Sequence, residues 1–169
     1  SGNTIDMEAD VTTNLTITVQ GSGTSDVANL KLDNTDIGGT IVATSVETLN
    51  IESAGAGATN VVTGTTTLNT LPGDQSIIVT GGSALTFTAA VTADAIDASA
   101  LTGIFTLTAG TAGASTIKGG TAADDINTGD GVSNIVDGGA GNDAIDFEIA
   151  FIGANTTNAI SFIREVKIG

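Results

Sequence analysis

The sequence predicts an all-β protein, a parallel β-solenoid with about 18–20 residues in each winding. Two observations support this fold. Short β-favouring segments flanked by Gly, Ala, Asn, Asp or Ser recur every 9 to 11 residues from about residue 65 onward. Within a segment such as Leu85-Thr86-Phe87-Thr88, apolar residues alternate with Thr, which is the period of a strand that buries one face.

Taking every second segment gives two columns of apolar residues, which we expect to stack inside the solenoid. Each column repeats about every 18 to 21 residues. The simplest structure with this repeat is a flattened coil of two strands and two turns per winding. The predicted columns are Leu68, Phe87, Leu107, Ile126 and Ile145, and Ile78, Ile96, Ile117 and Ile135.

The pattern divides the chain into three parts. Residues 1–64 show the same chemistry less regularly, with strands predicted at 15–19, 28–32, 40–43 and 48–52, and we interpret them as wider coils of the same solenoid. Residues 65–146 form the regular part. Residues 147–169 break the repeat, and we expect them to cap the solenoid or to begin another module.

Charge and composition exclude several functions. The formal net charge is −15, from 19 acidic and 4 basic residues, so clustered Lys and Arg for binding nucleic acid are lacking. With no His and no Cys, the chain cannot build a Ser-His-Asp triad, a Cys-His pair or an ordinary zinc site, and we expect no enzyme. The sequence contains no run of 18 apolar residues, so we predict no membrane span. The uncompensated negative charge favours a divalent cation as ligand.

A nine-residue motif near the end of the regular part carries the chemistry. Residues 138–146 (GGAGNDAID) match the pattern G-G-x-G-x-D-x-U-x at every specified position. Residues 119–127 match it except that Ala122 replaces a glycine. Two weaker copies, at 128–136 and 110–118, carry Ser133 and Ser115 where the Asp belongs, and Asp137 is an extra residue between two copies.

These nonapeptides resemble the repeats-in-toxin (RTX) family of secreted bacterial proteins, over residues 110–146. The resemblance implies a β-roll that holds Ca²⁺ in the turns between windings. Asp124 and Asp143 are 19 residues apart, so one winding should bring them together, where they would repel unless a cation lay between them. We expect a Ca²⁺ site there. Its predicted residues are Asp124, Asp143 and, through main-chain carbonyls, Gly119, Thr121, Gly138 and Ala140.

The opposite edge, with Ser115 and Ser133 at the Asp places, should bind calcium weakly or not at all, with Asp130 and Asp137 as partial compensation. Paired carboxylates are also the acid and base of glycosidases. Acidic solenoid turns explain them without a cleft, and we set that alternative aside.

The segment 95–108, followed by the glycine-rich repeats, is similar to the Ala/Thr-rich solenoids of Gram-negative surface-layer (S-layer) proteins. That resemblance implies a structural protein at the cell surface, exported by a type I system, which self-associates into an oligomer or lattice. Other parts of a longer parent chain could bind cell-surface polysaccharide. Two alternatives stay open: the repeat region of a large RTX adhesin, and the non-catalytic RTX domain of a secreted hydrolase or toxin.

Overall fold

A computed structural model describes residues 4–19, 23–68, 74–110, 116–129, 135–146 and, for the backbone alone, 166–167. The described residues form strands and turns without a helix, and the strands pair in parallel. The described part of the chain contains no helix that is long and apolar enough to span a membrane. The structure confirms the predicted all-β, parallel solenoid.

The strands of the described residues are short and follow one another around the coil. In chain order they are β1 (Thr4–Met7), β2 (Leu15–Thr18), β3 (Val27–Asp33), β4 (Asp36–Ile37), β5 (Ile41–Thr44), β6 (Thr48–Ala54), β7 (Thr59–Val62), β8 (Thr66–Leu68), β9 (Ser76–Gly81), β10 (Ala84–Phe87), β11 (Val91–Thr92), β12 (Ala95–Leu101), β13 (Phe105–Thr108), β14 (Thr116–Lys118), β15 (Asp125–Asn127), β16 (Ile135–Asp137), β17 (Ala144–Asp146) and β18 (Val166–Lys167).

Three parallel sheets run along the solenoid. We call them the long sheet (β1-β3-β6-β9-β12-β14-β16-β18), the middle sheet (β17-β15-β13-β10-β7-β4) and the short sheet (β11-β8-β5-β2). A winding between β3 and β11 contributes one strand to each sheet. Among the described residues beyond β11, the short sheet continues as a bridge between Val91 and Ala109, and the strands from β14 to β17 lie on the long and middle sheets.

The length of a winding is the sequence separation between paired residues of the long sheet. This separation is 21 between Asn29 and Asn50, and it is 28 between Thr48 and Ser76. From Ser76 to β16 the separations are 19 to 21, close to the predicted repeat. The four strands predicted within residues 1–64 are present as β2, β3, β5 and β6.

The core is a continuous stack of inward-facing apolar side chains along the axis. In the middle sheet, Leu107 pairs with Ile126 and Ile126 with Ile145. The rings of Phe87 and Phe105 meet edge to face, with centroids 6.2 Å apart. Such aromatic pairs add about 1 kcal/mol beyond the area they bury.

The predicted columns need three corrections. Leu68 lies on the short sheet, paired with Ala43, and so does not stack with Phe87 of the middle sheet. Ile78 and Ile135 face outward, 37% and 56% exposed. The column inside the long sheet consists instead of Ile77, Ile96, Ile117 and Val136. The errors at Ile78 and Ile135 are each a choice between two adjacent apolar residues, and a shift of one residue turns a strand side chain to the other face.

Lys31 and Lys118 lie on the outer face of the long sheet, where acidic residues of the same or a neighbouring winding pair with them. Lys31 lies 3.1 Å from both Asp6 and Asp33, and Lys118 lies 3.3 Å from Asp97. Burial tends to raise the pKa of Asp97, but hydrogen bonds from Ser99 and the Lys118 ammonium together bring that pKa below its usual value.

Candidate functional site

The predicted calcium site lies in a column of inward residues at the corner between the long and middle sheets. We call it the corner column; from the first winding to the last it contains Thr35, Asn60, Leu85, Phe105, Asp124 and Asp143. Its members up to Asp124 are no more than 2% exposed, and Asp143 is half-buried. The two motif aspartates therefore occupy positions that hold Leu85 and Phe105 in earlier windings.

Asp124 binds main-chain donors with both carboxylate oxygens. Its Oδ1 accepts a hydrogen bond from the N–H of Phe105, one winding back, at 2.8 Å. Its Oδ2 accepts one from the N–H of Gly120, within its own turn, at 2.5 Å. The carboxylate therefore ties the glycine-rich turn to the preceding winding.

Asp143 repeats half of this arrangement. Its Oδ1 accepts a hydrogen bond from the N–H of Asp124, one winding back, at 3.0 Å. Its Oδ2 is buried and has no hydrogen-bond partner among the described residues. A buried carboxylate oxygen without a partner costs several kcal/mol unless another group satisfies it. A bound cation is such a group.

The electrostatic state of Asp124 reflects this stacking. Burial raises the pKa of its carboxyl, and the neighbouring charge of Asp143 raises it further. The hydrogen bonds from Phe105 and Gly120 act in the opposite direction, because they stabilise the ionised form, but the pKa remains above its ordinary value. A divalent cation beside the two carboxylates would offset both the burial of Asp124 and its repulsion by Asp143, and would so favour the ionised form of Asp124.

Glycines let the two turns approach each other at this corner. A Cβ at Gly119 would clash with the carbonyl oxygen of Gly138, and one at Gly138 would lie 2.6 Å from Asp143 Oδ2. Gly139 has a φ of +87°, and a Cβ there would clash with the carbonyl oxygen of Gly120. Only glycine meets both demands at this position. The motif glycines thus bring main-chain oxygens close to the aspartates.

The structure places the six predicted site residues in two stacked turns. Gly119 and Gly138 are buried, whereas Thr121 and Ala140 lie at the exposed end of each turn. The Thr121 N–H donates to the Leu101 carbonyl, and the Ala140 N–H donates to the Gly120 carbonyl. Among the described residues, the main-chain oxygens of Gly119, Thr121, Gly138 and Ala140 accept no hydrogen bond.

These donors suit calcium in chemical type. Ca²⁺ takes six to eight oxygen ligands, from carboxylates, main-chain carbonyls and water. Within the described ranges, no three acidic side chains converge as a metal cluster. Carboxylates at this corner therefore amount to the pair Asp124 and Asp143, and carbonyls or water would have to complete the coordination. The unsatisfied Oδ2 of Asp143 is the atom that favours a cation most directly.

The register across these turns is regular. Lys118 pairs with Asp137, and Ile126 pairs with Ile145, so the repeat has the same length on both sheets. The extra Asp137 therefore occupies the position of Lys118 without shifting the repeat. The Asp137 carboxylate accepts a hydrogen bond from the Gly139 N–H at 3.2 Å. Ser115, Asp130 and Ser133, on which the prediction of a weak opposite edge depends, lie outside the described residues.

A second polar column, which the sequence reasoning missed, precedes the strands of the long sheet. Its members are Asp26, Glu47, Gln75 and Asp94. Glu47 accepts a hydrogen bond from the Asp26 N–H at 2.6 Å, and Asp94 accepts one from the Gln75 N–H at 2.8 Å. A polar residue directly before each of these strands was the available signal. Hydrogen bonds from main-chain N–H groups therefore stabilise part of the negative charge. From the composition alone, a cation would have been expected to neutralise all of it.

Comparison of the chain with protein-family models, with curated proteins and with solved structures finds no match. The resemblance of residues 110–146 to RTX repeats therefore depends on the nonapeptide motif itself. The parallel pairing of the described strands β14 to β17 is compatible with a β-roll.

Proposed function

We propose that this chain is a structural, calcium-stabilised β-solenoid of an extracellular surface-layer protein, and that it self-assembles on the cell surface. The observation that carries the calcium part is the stacking of Asp124 on Asp143 in two glycine-rich turns, with Asp143 Oδ2 buried and unsatisfied. A calcium ion there would join two successive windings, with Gly119, Thr121, Gly138 and Ala140 offering carbonyl oxygens.

The cation would act on folding. Because the two turns meet only in the folded chain, the free energy of binding adds to the free energy of folding. At a calcium concentration of 100 times Kd this stabilisation is about 2.7 kcal/mol. An extracellular medium rich in calcium would therefore favour the folded solenoid after export, which is the behaviour that the RTX resemblance implies.

The structural role is supported by what the solenoid offers to its surroundings. Its outer faces are rich in Thr, Asn and paired charges, and its parallel sheets form an elongated stack of windings. The resemblance of residues 95–108 to S-layer solenoids favours assembly into a lattice. The role proposed is mechanical and does not include catalysis.

The test compares two double variants that remove the same charge. Asp124→Asn with Asp143→Asn removes the carboxylates of the corner column, whereas Asp125→Asn with Asp146→Asn removes two exposed neighbours in the same strands. Circular dichroism and thermal melting are recorded with EDTA and during a calcium titration. We expect calcium to raise the melting temperature of the wild type and of the exposed-site variant, but not that of the corner variant. Equal responses in all three would exclude this site.

Light scattering on the calcium-loaded protein tests the assembly part. Calcium-dependent ordered multimers support the surface-layer function. A calcium-stabilised protein that stays monomeric at all accessible concentrations would contradict self-assembly and would favour the repeat region of an adhesin.

A further inference from the structure

The corner column changes its chemistry along the solenoid. In its first half Thr35 and Asn60 are polar and neutral, in the middle Leu85 and Phe105 are apolar, and at the end Asp124 and Asp143 are acidic. Asn60 and Asp124 use the same device, because each accepts a hydrogen bond from a main-chain N–H one winding back, at 2.7 Å and 2.8 Å. The two ends of the solenoid thus differ in the charge of a residue at an equivalent place.

The neutral end is complete without a cation. Asn60 is fully buried; its Oδ1 accepts from the Thr35 N–H, and its Nδ2 donates to Ser53 Oγ and to the Ala54 carbonyl, at 2.8 and 2.9 Å. Ser53 in turn donates to the Ala84 carbonyl at 3.0 Å. This network links three successive windings and satisfies both ends of the amide. A buried polar network with every member paired is stabilising and needs no counter-ion.

The two ends also differ in the amount of core. Windings between β3 and β11 bury apolar side chains from all three sheets, whereas the described strands from β14 to β17 lie on the long and middle sheets alone. Among the described residues of β14 to β17, the fully buried apolar side chains are Ile117, Ile126 and Val136, and Ile145 is only partly buried. Hydrophobic stabilisation grows with the apolar area removed from water. The described part of these windings therefore has little apolar stabilisation with which to offset two stacked carboxylates.

We propose that calcium controls only the windings from β14 to β17, and that the windings from β3 to β13 keep their fold without it. This inference rests on the proposed function, since it assumes the calcium site at Asp124 and Asp143. The inference adds that the boundary between calcium-independent and calcium-dependent windings lies between the apolar Phe105 and the acidic Asp124 in the corner column. Chelation would then unfold one end of the solenoid and leave the other end as a folded unit.

Hydrogen exchange of the complete chain, followed by mass spectrometry in Ca²⁺ and in EGTA, locates the boundary. We expect amides of β14 to β17 to exchange at least about 100-fold faster in EGTA, and amides of β6, β9 and β12 to change less than about threefold. Loss of protection in both groups would overturn the boundary while leaving the calcium site intact. A chain in which neither group responds to calcium would overturn the calcium site, and this inference with it.

Discussion

Replacing Asp143 by Asn should change stability in opposite directions with and without calcium. The amide keeps an oxygen for the hydrogen bond from the Asp124 N–H. It removes one negative charge beside the buried Asp124 and replaces the carboxylate oxygen that has no partner. In EGTA we therefore expect the variant to be more stable than the wild type. In calcium we expect it to be less stable, because a charged ligand is lost.

The magnitude follows from the stacking. Neighbouring parallel strands lie about 4.8 Å apart, and two unit charges at roughly that distance repel by about 3 kcal/mol at an effective dielectric constant near 20. Asp143 is half-buried, so screening by water reduces this to about 1–2 kcal/mol in EGTA. In calcium at 100 times Kd, the variant should instead forgo most of the roughly 2.7 kcal/mol that binding supplies.

Amide hydrogen exchange at Ile126 and Asn127 reports the local free energy of opening in both media. Asp146→Asn is the matched control, since it removes the same charge from an exposed position in β17, the strand that directly follows Asp143, and should change the opening free energy by less than about 0.5 kcal/mol. If Asp143→Asn destabilises β15 equally in EGTA and in calcium, the carboxylate acts only as a cap for the main chain, and the reasoning is refuted.

Four further substitutions, one of them a control, test the fold. Gly139→Ala should destabilise the protein by about 3 kcal/mol in urea unfolding, because the φ of Gly139 is +87° and a Cβ there would clash with the neighbouring winding. Gly57→Ala is the control and should destabilise it by about 1 kcal/mol, because Gly57 has a φ of +74° but open space around it. Equal costs would mean that winding contact does not require glycine. Thr66→Val should stabilise the protein by about 1 kcal/mol in the same assay, since Thr66 Oγ1 is buried and has no hydrogen-bond partner in the described part of the chain; a loss of stability would indicate such a partner. The pKa of Asp97 is lower in the folded chain than in the unfolded chain, so ionised Asp97 stabilises the fold at pH values above its unfolded pKa. This stabilisation is lost as the pH falls through the lower, folded pKa. Asp97→Asn should therefore flatten the acid side of the stability profile, and an unchanged profile would show that the hydrogen bonds from Ser99 and the pair with Lys118 contribute nothing.

The sequence period predicts much of this architecture, because the repeat of the sequence equals the length of a winding. That relation alone brings Asp143 beside Asp124, one winding earlier, and pairs Ile126 with Ile145. The period does not decide which of two adjacent apolar residues points inward. Ile78 and Ile135 were the wrong choices for that reason, since packing of the neighbouring windings selects the face.

The short sheet and the Asn60 network could not be predicted for a different reason. A strand of two or three residues, such as β8 or β11, is too short to show an alternating pattern. An asparagine between Thr59 and Val61 would ordinarily be assigned to a solvent-facing position. It is buried because its amide is satisfied by Thr35 of the preceding winding and by Ser53 and Ala54 of its own winding.

A crystal structure of the protein grown in calcium, with an anomalous difference map, would show whether calcium binds between Asp124 and Asp143. We expect a metal ion between the turns of Gly119 and Gly138, with oxygens of Asp124, Asp143 and main-chain carbonyls about 2.3–2.6 Å from it. Carboxylates that remain bound to the N–H groups of Phe105 and Asp124, with no anomalous density between the two turns, would contradict it.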